Sequence, residues 1–261
     1  MRRWLTTALL ALSVSTALAG RPCEEKPLSM QELTQGLNLA QLTAQRLNAS
    51  GAQVVLLARA GQDLSKYGLI WSHLGLAYKT EYEGRPVWRV LHKLNHCGTA
   101  DAGIYRQGLG EFFLDRPHRY EAAYVVLSPA MQAQLLPWLN QPQRLMVLHE
   151  PRYSMLAYPW STRYQQSNQW VLEALALAAD TRLQDRAQAQ AWLKAHDYRP
   201  SDLKLSTVTR LGARVSMANI AFDDHPSARR FSGHIETITV DSMFAWLSRA
   251  GLSEPAVFIK P

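Results

Sequence analysis

Two apolar runs of strand length, residues 69–78 and 86–94, flank the turn-forming stretch Glu81-Tyr82-Glu83-Gly84. Runs joined by so short a polar link fold back on each other as antiparallel strands. Each run carries one histidine, His73 in "WSHLGLAY" and His92 in "VWRVLHKL". A turn centred between Tyr82 and Glu83 sets His73 directly opposite His92. Opposed residues have Cβ atoms about 4.5–5.5 Å apart, close enough for two imidazoles to share a hydrogen bond. Alternation puts Trp71, Gly75 and Ala77 on the face of His73, and Trp88, Val90 and Leu94 on the face of His92. A slip of one residue would send the pair to opposite faces, so the register decides whether they meet. The competing reading is of two core histidines, each satisfied by a neighbour.

The remaining segments supply more strands and a helical second half. Residues 53–59 (QVVLLAR) suit a central strand, residues 120–127 (YEAAYVVL) another, and residues 234–240 (HIETITV) an edge strand. Helical spacing marks residues 29–48, 129–139, 167–180, 186–196 and 243–250, with Val171, Leu175 and Ala178 along one face of the third. Strands clustered between helices, with no repeating strand-helix-strand order, predict an α+β architecture in which helices pack on an antiparallel sheet.

Composition narrows the setting. The first twenty residues, MRRWLTTALLALSVSTALAG, join a positive start to a short apolar stretch and an Ala-Leu-Ala close, the pattern of a secretory signal. Residues 21–261 then form one expected domain, exported to the periplasm or secreted, with a helical C-terminal elaboration. Loss of Arg2 and Arg3 takes the formal net charge from +7 to +5. That excess suits an anionic envelope surface, and no basic block or aromatic-interleaved stripe points to nucleic acid. No later segment is long and apolar enough for an integral membrane span. In an oxidising compartment the two cysteines, Cys23 and Cys97, are expected to form a disulfide.

Chemistry has several candidate seats. Ser167 opens the strongest helix, where unpaired backbone N–H groups lower a nucleophile's pKa and can hold an oxyanion. The plainer alternative makes it a helix N-cap. His92, His96 and Cys97 have a ligand-like order, but His92 lies in a strand pattern that spreads positions four apart along the chain, so no metal and no cofactor is expected. Cys97 as a nucleophile is disfavoured by its expected oxidation. Asp223, Asp224 and His225 sit in a Pro-bounded loop and read as turn chemistry.

The stretches "GQDLSKYGLIWSHLGLAY", "LHKLNHCGTADAGIYRQGLGEFFLD", "YSMLAYPWSTRYQQSNQWVLE" and "ANIAFDDHP" resemble those of the DUF2145 family of exported bacterial proteins. At greater distance, the order of parts resembles circularly permuted papain-like hydrolases of the NlpC and lecithin retinol acyltransferase kind. His73-Leu74-Gly75-Leu76-Ala77-Tyr78 resembles their early histidine element, His92 stands where a second polar residue follows, and Ser167 stands in place of their helix-opening cysteine. That resemblance implies a permuted papain-like fold. It also implies hydrolysis or acyl transfer at amide or ester bonds of envelope peptides or lipids. Ser167 would be the nucleophile, His73 the base, His92 its orienter, and backbone N–H groups near residues 167–169 the oxyanion donors. The alternative is a non-catalytic envelope binding or accessory protein that uses the same cleft.

Overall fold

The computed structural model describes residues 27–261, the side chains of residues 215 and 216 excepted. Residues 1–20 and Cys23 lie outside the described residues, as does half of the expected Cys23–Cys97 pair. The described residues begin with helix α1 (Met30–Ala49) and strand β1 (Val54–Ala60), then a short 3-10 turn (Ser65–Tyr67) and the hairpin β2 (His73–Tyr82) and β3 (Arg85–Asn95). Strand β4 (Ala102–Gly108), helix α2 (Leu109–Phe113), strand β5 (Arg119–Val126) and helices α3 (Pro129–Asn140) and α4 (Gln143–Met146) follow. A long connection leads to α5 (Ser167–Ala179) and α6 (Arg186–Ala195). The remainder is β6 (Ser201–Lys204), α7 (Thr207–Ser216), α8 (Ser227–Ser232), β7 (His234–Thr237), α9 (Val240–Arg249) and β8 (Val257–Ile259).

Six strands form one sheet in the order β4-β3-β2-β1-β5-β8, every pairing antiparallel. The fold is α+β. All seven residues of β1 are buried, which requires cover on both faces of the sheet. Val54, Leu56 and Ala58 join Leu74, Leu76 and Tyr78 against α3, α5, α6 and α9. Val55 and Leu57 join Ala77, Trp88 and Val90 against α1 and the two phenylalanines of α2. β6 and β7 make a separate two-stranded sheet, beside which Leu205, Phe222 and Ile235 form a small third core.

The hairpin turn sits one residue further along than the sequence suggested. Glu83 (φ 49°) and Gly84 (φ 71°) both have positive φ, the two-residue turn that matches the right-handed strand twist. Tyr82 therefore pairs with Arg85 and Leu76 with Leu91. Continued inward, this register sets His92 beside Gly75, correcting the expected opposition of His73 and His92. A two-residue shift preserves the pleat, so both histidines keep the same face.

Two other expectations change. The edge strand at residues 234–240 is shorter, because Thr239 caps α9 and Val240 opens it. Helix α5 is buried from Ser167 to Ala178 rather than along one stripe, the condition of a helix enclosed on all sides. Its one acid, Glu173, accepts from Arg186 Nε at 2.8 Å and Nη2 at 3.1 Å, and from Gln190 at 2.8 Å. Gln165 also donates to Glu173 and, through its carbonyl, accepts from the fully buried Lys93 at 2.8 Å. Burial first, and then Arg186, push the Lys93 ammonium down to about 7.

This network locks α5 to β3 and α6. Glu173→Ala would leave Arg186 and Lys93 buried without their balancing charge, an expected cost of about 3–5 kcal/mol. Urea unfolding should show it as a lower midpoint at an unchanged slope.

Candidate functional site

His73 opens β2 at the end of the sheet, and its Nε2 lies 2.8 Å from Nδ1 of His92. His92 is fully buried, and its Nε2 lies 2.9 Å from the Gln107 carbonyl oxygen on β4. The order of acceptors fixes the protons. Gln107 Oε1 can only accept, so His92 carries its proton on Nε2 and offers a lone pair at Nδ1. His73 then donates from Nε2, which leaves its Nδ1 unprotonated. Among the described residues His73 Nδ1 has no hydrogen-bond partner, and His73 borders a cavity of about 700 Å³.

The diagonal contact depends on a missing atom. A Cβ on Gly75 would stand 2.6 Å from Val90 Cγ1, 2.9 Å from His92 Cβ and 3.2 Å from the Leu91 carbonyl. Only glycine leaves the space through which His92 leans toward His73. Below the pair lies Phe112, with ring centroids 6.0 Å from His73 and 5.3 Å from His92. The Arg59 guanidinium, on β1 beside His73, stacks over the same ring at 4.7 Å. It also donates to the Phe112 carbonyl and to Asp115.

This setting opposes charge on either imidazole. Burial, Arg59 and then His92 hold His73 well below the ordinary histidine range. Burial and Arg59 outweigh the Gln107 hydrogen bond and bring His92 to about 3. Both rings are neutral at pH 7, so the pair accepts and donates protons without a resident charge.

Ser167 borders the same cavity at the start of α5. It is the first helical residue and not the cap. Gln166 holds the cap position in extended geometry with no side-chain capping bond. Ser167 Oγ lies 3.4 Å from the Tyr153 hydroxyl, and no hydrogen bond joins Ser167 to His73. Burial raises the Tyr153 phenol, while hydrogen bonding to the side chain and backbone of Ser167 opposes the shift. Tyr153 is thus a neutral phenol aimed at the helix N-terminus.

Sequence reasoning passed over what brings these two corners together. "QQSNQ", residues 165–169, is polar, yet every one of its residues is buried. Asn168 accepts from the Leu74 N–H at 3.2 Å, at the point of β2 where pairing with β3 has not yet begun. Gln166 donates to Thr237 at 2.6 Å. Five consecutive polar residues at the head of an apolar helix were the signal; each needs a partner if buried. Cys97 also borders the cavity and is not a free thiol. His225 lies apart from the histidine pair, held by Asp224 at 2.9 Å and by the Glu236 carbonyl at 3.0 Å.

A family model described as "Uncharacterized protein conserved in bacteria (DUF2145)" matches residues 46–247. The chain belongs to this family. The match spans the hairpin, the cavity and α5, so the paired histidines and Ser167 all lie within the DUF2145 region. No curated protein and no solved structure matches the chain.

Gly75→Ala in this DUF2145 chain should force His92 away from His73. The expected cost is about 1–3 kcal/mol, that of overpacking a filled core. Nitrogen-detected NMR should report loss of the inter-ring hydrogen bond. Acid should weaken the fold as well. An unfolded histidine titrates near 6.5, so between that value and the depressed folded values the unfolded state holds more protons. The histidines' contribution is therefore full above about pH 6.5 and falls by about 1.4 kcal/mol per unit and per histidine below it, while Lys93, lowered to about 7, adds a separate gain as pH rises above that value. Denaturant titrations from pH 7.5 to 4.5 should show this slope, halved in His92→Gln.

Proposed function

We propose that this protein is a hydrolase or acyltransferase acting on amide or ester bonds, with Ser167 as nucleophile and His73 as general base. One observation carries the reading: the Gln107–His92–His73 row ends at His73, which borders the same cavity as Ser167. In the first step the Ser167 oxygen bonds to the substrate carbonyl carbon while its proton passes to His73 Nδ1. Backbone N–H groups at the start of α5 meet the oxyanion. The leaving amine or alcohol takes the proton from His73, and water or a second acceptor then releases the acyl group from Ser167. His92 holds the base in its productive tautomer but supplies no negative charge to the imidazolium, so turnover is expected to be slow.

The geometry asks for one rearrangement. Ser167 must exchange its Tyr153 contact for one with His73, as apo sites often require. The proposed setting is the periplasm or the extracellular space, with the Cys23–Cys97 bridge tethering the N-terminal segment near the cavity. Peptides or lipids of the cell envelope are the proposed substrates.

A second reading rests on that same Tyr153 contact. With Ser167 held away from His73, the cavity serves a non-catalytic binding or accessory protein, and Tyr153 and Asn168 become ligand-orienting groups.

Activity-based labelling separates the two. A fluorophosphonate or β-lactone probe should modify wild-type protein at Ser167, fail on Ser167→Ala, and react at least about 100-fold more slowly on His73→Ala. Absence of labelling in wild type, with a ligand retained in native mass spectrometry by both variants, would establish the binding protein instead.

A further inference from the structure

Helix α7 presents apolar residues to two different surroundings. Ala213 and Met217 border the cavity, whereas Val208 and Leu211 face solvent, 82% and 64% exposed. Phe231 on α8 is 73% exposed. In the chain, α7 follows β6 and α8 precedes β7 at one end of the small sheet. Lys204 pairs with His234 there, and the Leu205 N–H donates to the Gly233 carbonyl at 2.8 Å. Val208 and Phe231 are separated from that junction by a few residues of helix each. Three large apolar side chains therefore stand exposed on the two helices that flank this junction.

The charges around them have a single uncompensated sign. Asp202 and Glu236, the acids of this corner, are engaged by Arg229 and His234. Lys204, Arg214 and Arg230 form no ion pair among the described residues, and the Arg230 guanidinium lies 5.5 Å from the Phe231 ring. Exposed apolar side chains flanked by free cations match a surface whose outer layer is anionic and whose interior is hydrocarbon. A stable protein interface needs a far larger continuous area than three side chains offer. Shallow insertion into a bilayer does not, because electrostatic attraction supplies the second anchor.

We propose that α7 and α8 form a docking surface for an anionic phospholipid bilayer. Val208, Leu211 and Phe231 enter the headgroup boundary, and Lys204, Arg214 and Arg230 meet lipid phosphates. The chain's formal charge, +7 over the full sequence and +5 without residues 1–20, adds long-range attraction to the same surface. Docking in this orientation brings the cavity, which α7 lines with its other side, close to the bilayer. The proposal is independent of any reaction at Ser167.

Sedimentation of the full chain with phosphatidylcholine vesicles, with and without phosphatidylglycerol, tests it. Binding should require phosphatidylglycerol and fall steeply with added salt. Phe231→Asp with Leu211→Asp should weaken it by about tenfold or more, from the lost apolar burial. Arg214→Gln with Arg230→Gln should weaken it by roughly 25-fold, at about fivefold per cation. All four positions are on the surface, and unchanged thermal melts would establish that the variants fold. Equal binding by wild type and both double variants would overturn the proposal, because the attachment would then lie elsewhere. So would a wild-type dimer that Phe231→Asp with Leu211→Asp converts to a monomer, since a second copy would then cover the patch.

Discussion

Burial of β1 on both faces is the constraint from which the architecture follows. An antiparallel sheet can leave one side to water, and its strands then alternate apolar with polar. Here the run from Val54 to Ala58 has no polar residue, and the sheet must be covered twice. Helices α1 and α2 take one side, and α3, α5, α6 and α9 take the other. With the sheet's flat surfaces occupied, its open end becomes the place where a cavity can form. Residues from both layers reach that end: His73 and Arg59 from the α2 side, Ser167 and Asn168 from the α5 side.

Holding the two layers in step at that point takes polar contacts, because β2 there pairs with β1 but no longer with β3. The Asn168 side chain replaces a strand partner for Leu74, and the Lys93–Gln165–Glu173–Arg186 network fixes the helix from which Asn168 projects. Such a network is costly to desolvate and worthwhile only when nearly complete.

Much of this was legible in the residues. Helical spacing over residues 29–48 matches α1, which Ser29 and Glu32 open with a reciprocal cap. Strands β1, β2, β3 and β5 fall within a few residues of their apolar runs, and the contact of His73 with His92 survives because the register differs from the expected one by an even number of residues. Its diagonal geometry was not legible. The turn position depends on which two residues tolerate positive φ, and Glu83 gives no outward sign that it will. β4, β6 and β8 are short or half-exposed, so periodicity has little to register, and α7 and α8 lack a continuous buried face to pattern them. The polar run at residues 165–169 has no period at all. Its role comes from tertiary partners far along the chain.

The row of hydrogen bonds from Gln107 through His92 to His73 has a direction as well as a geometry. Each neutral imidazole donates on one side and accepts on the other, so the first member dictates the sense of all that follow. The carboxamide of Gln107, the first member, can present either its acceptor or its donor end to His92. Turned by half a revolution, it would present its amino group to His92, and every proton in the row would shift to the opposite nitrogen. The cavity would then meet a donor at His73 where it now meets an acceptor. The acid-base character of this surface is accordingly governed from β4, by an amide that does not border the cavity.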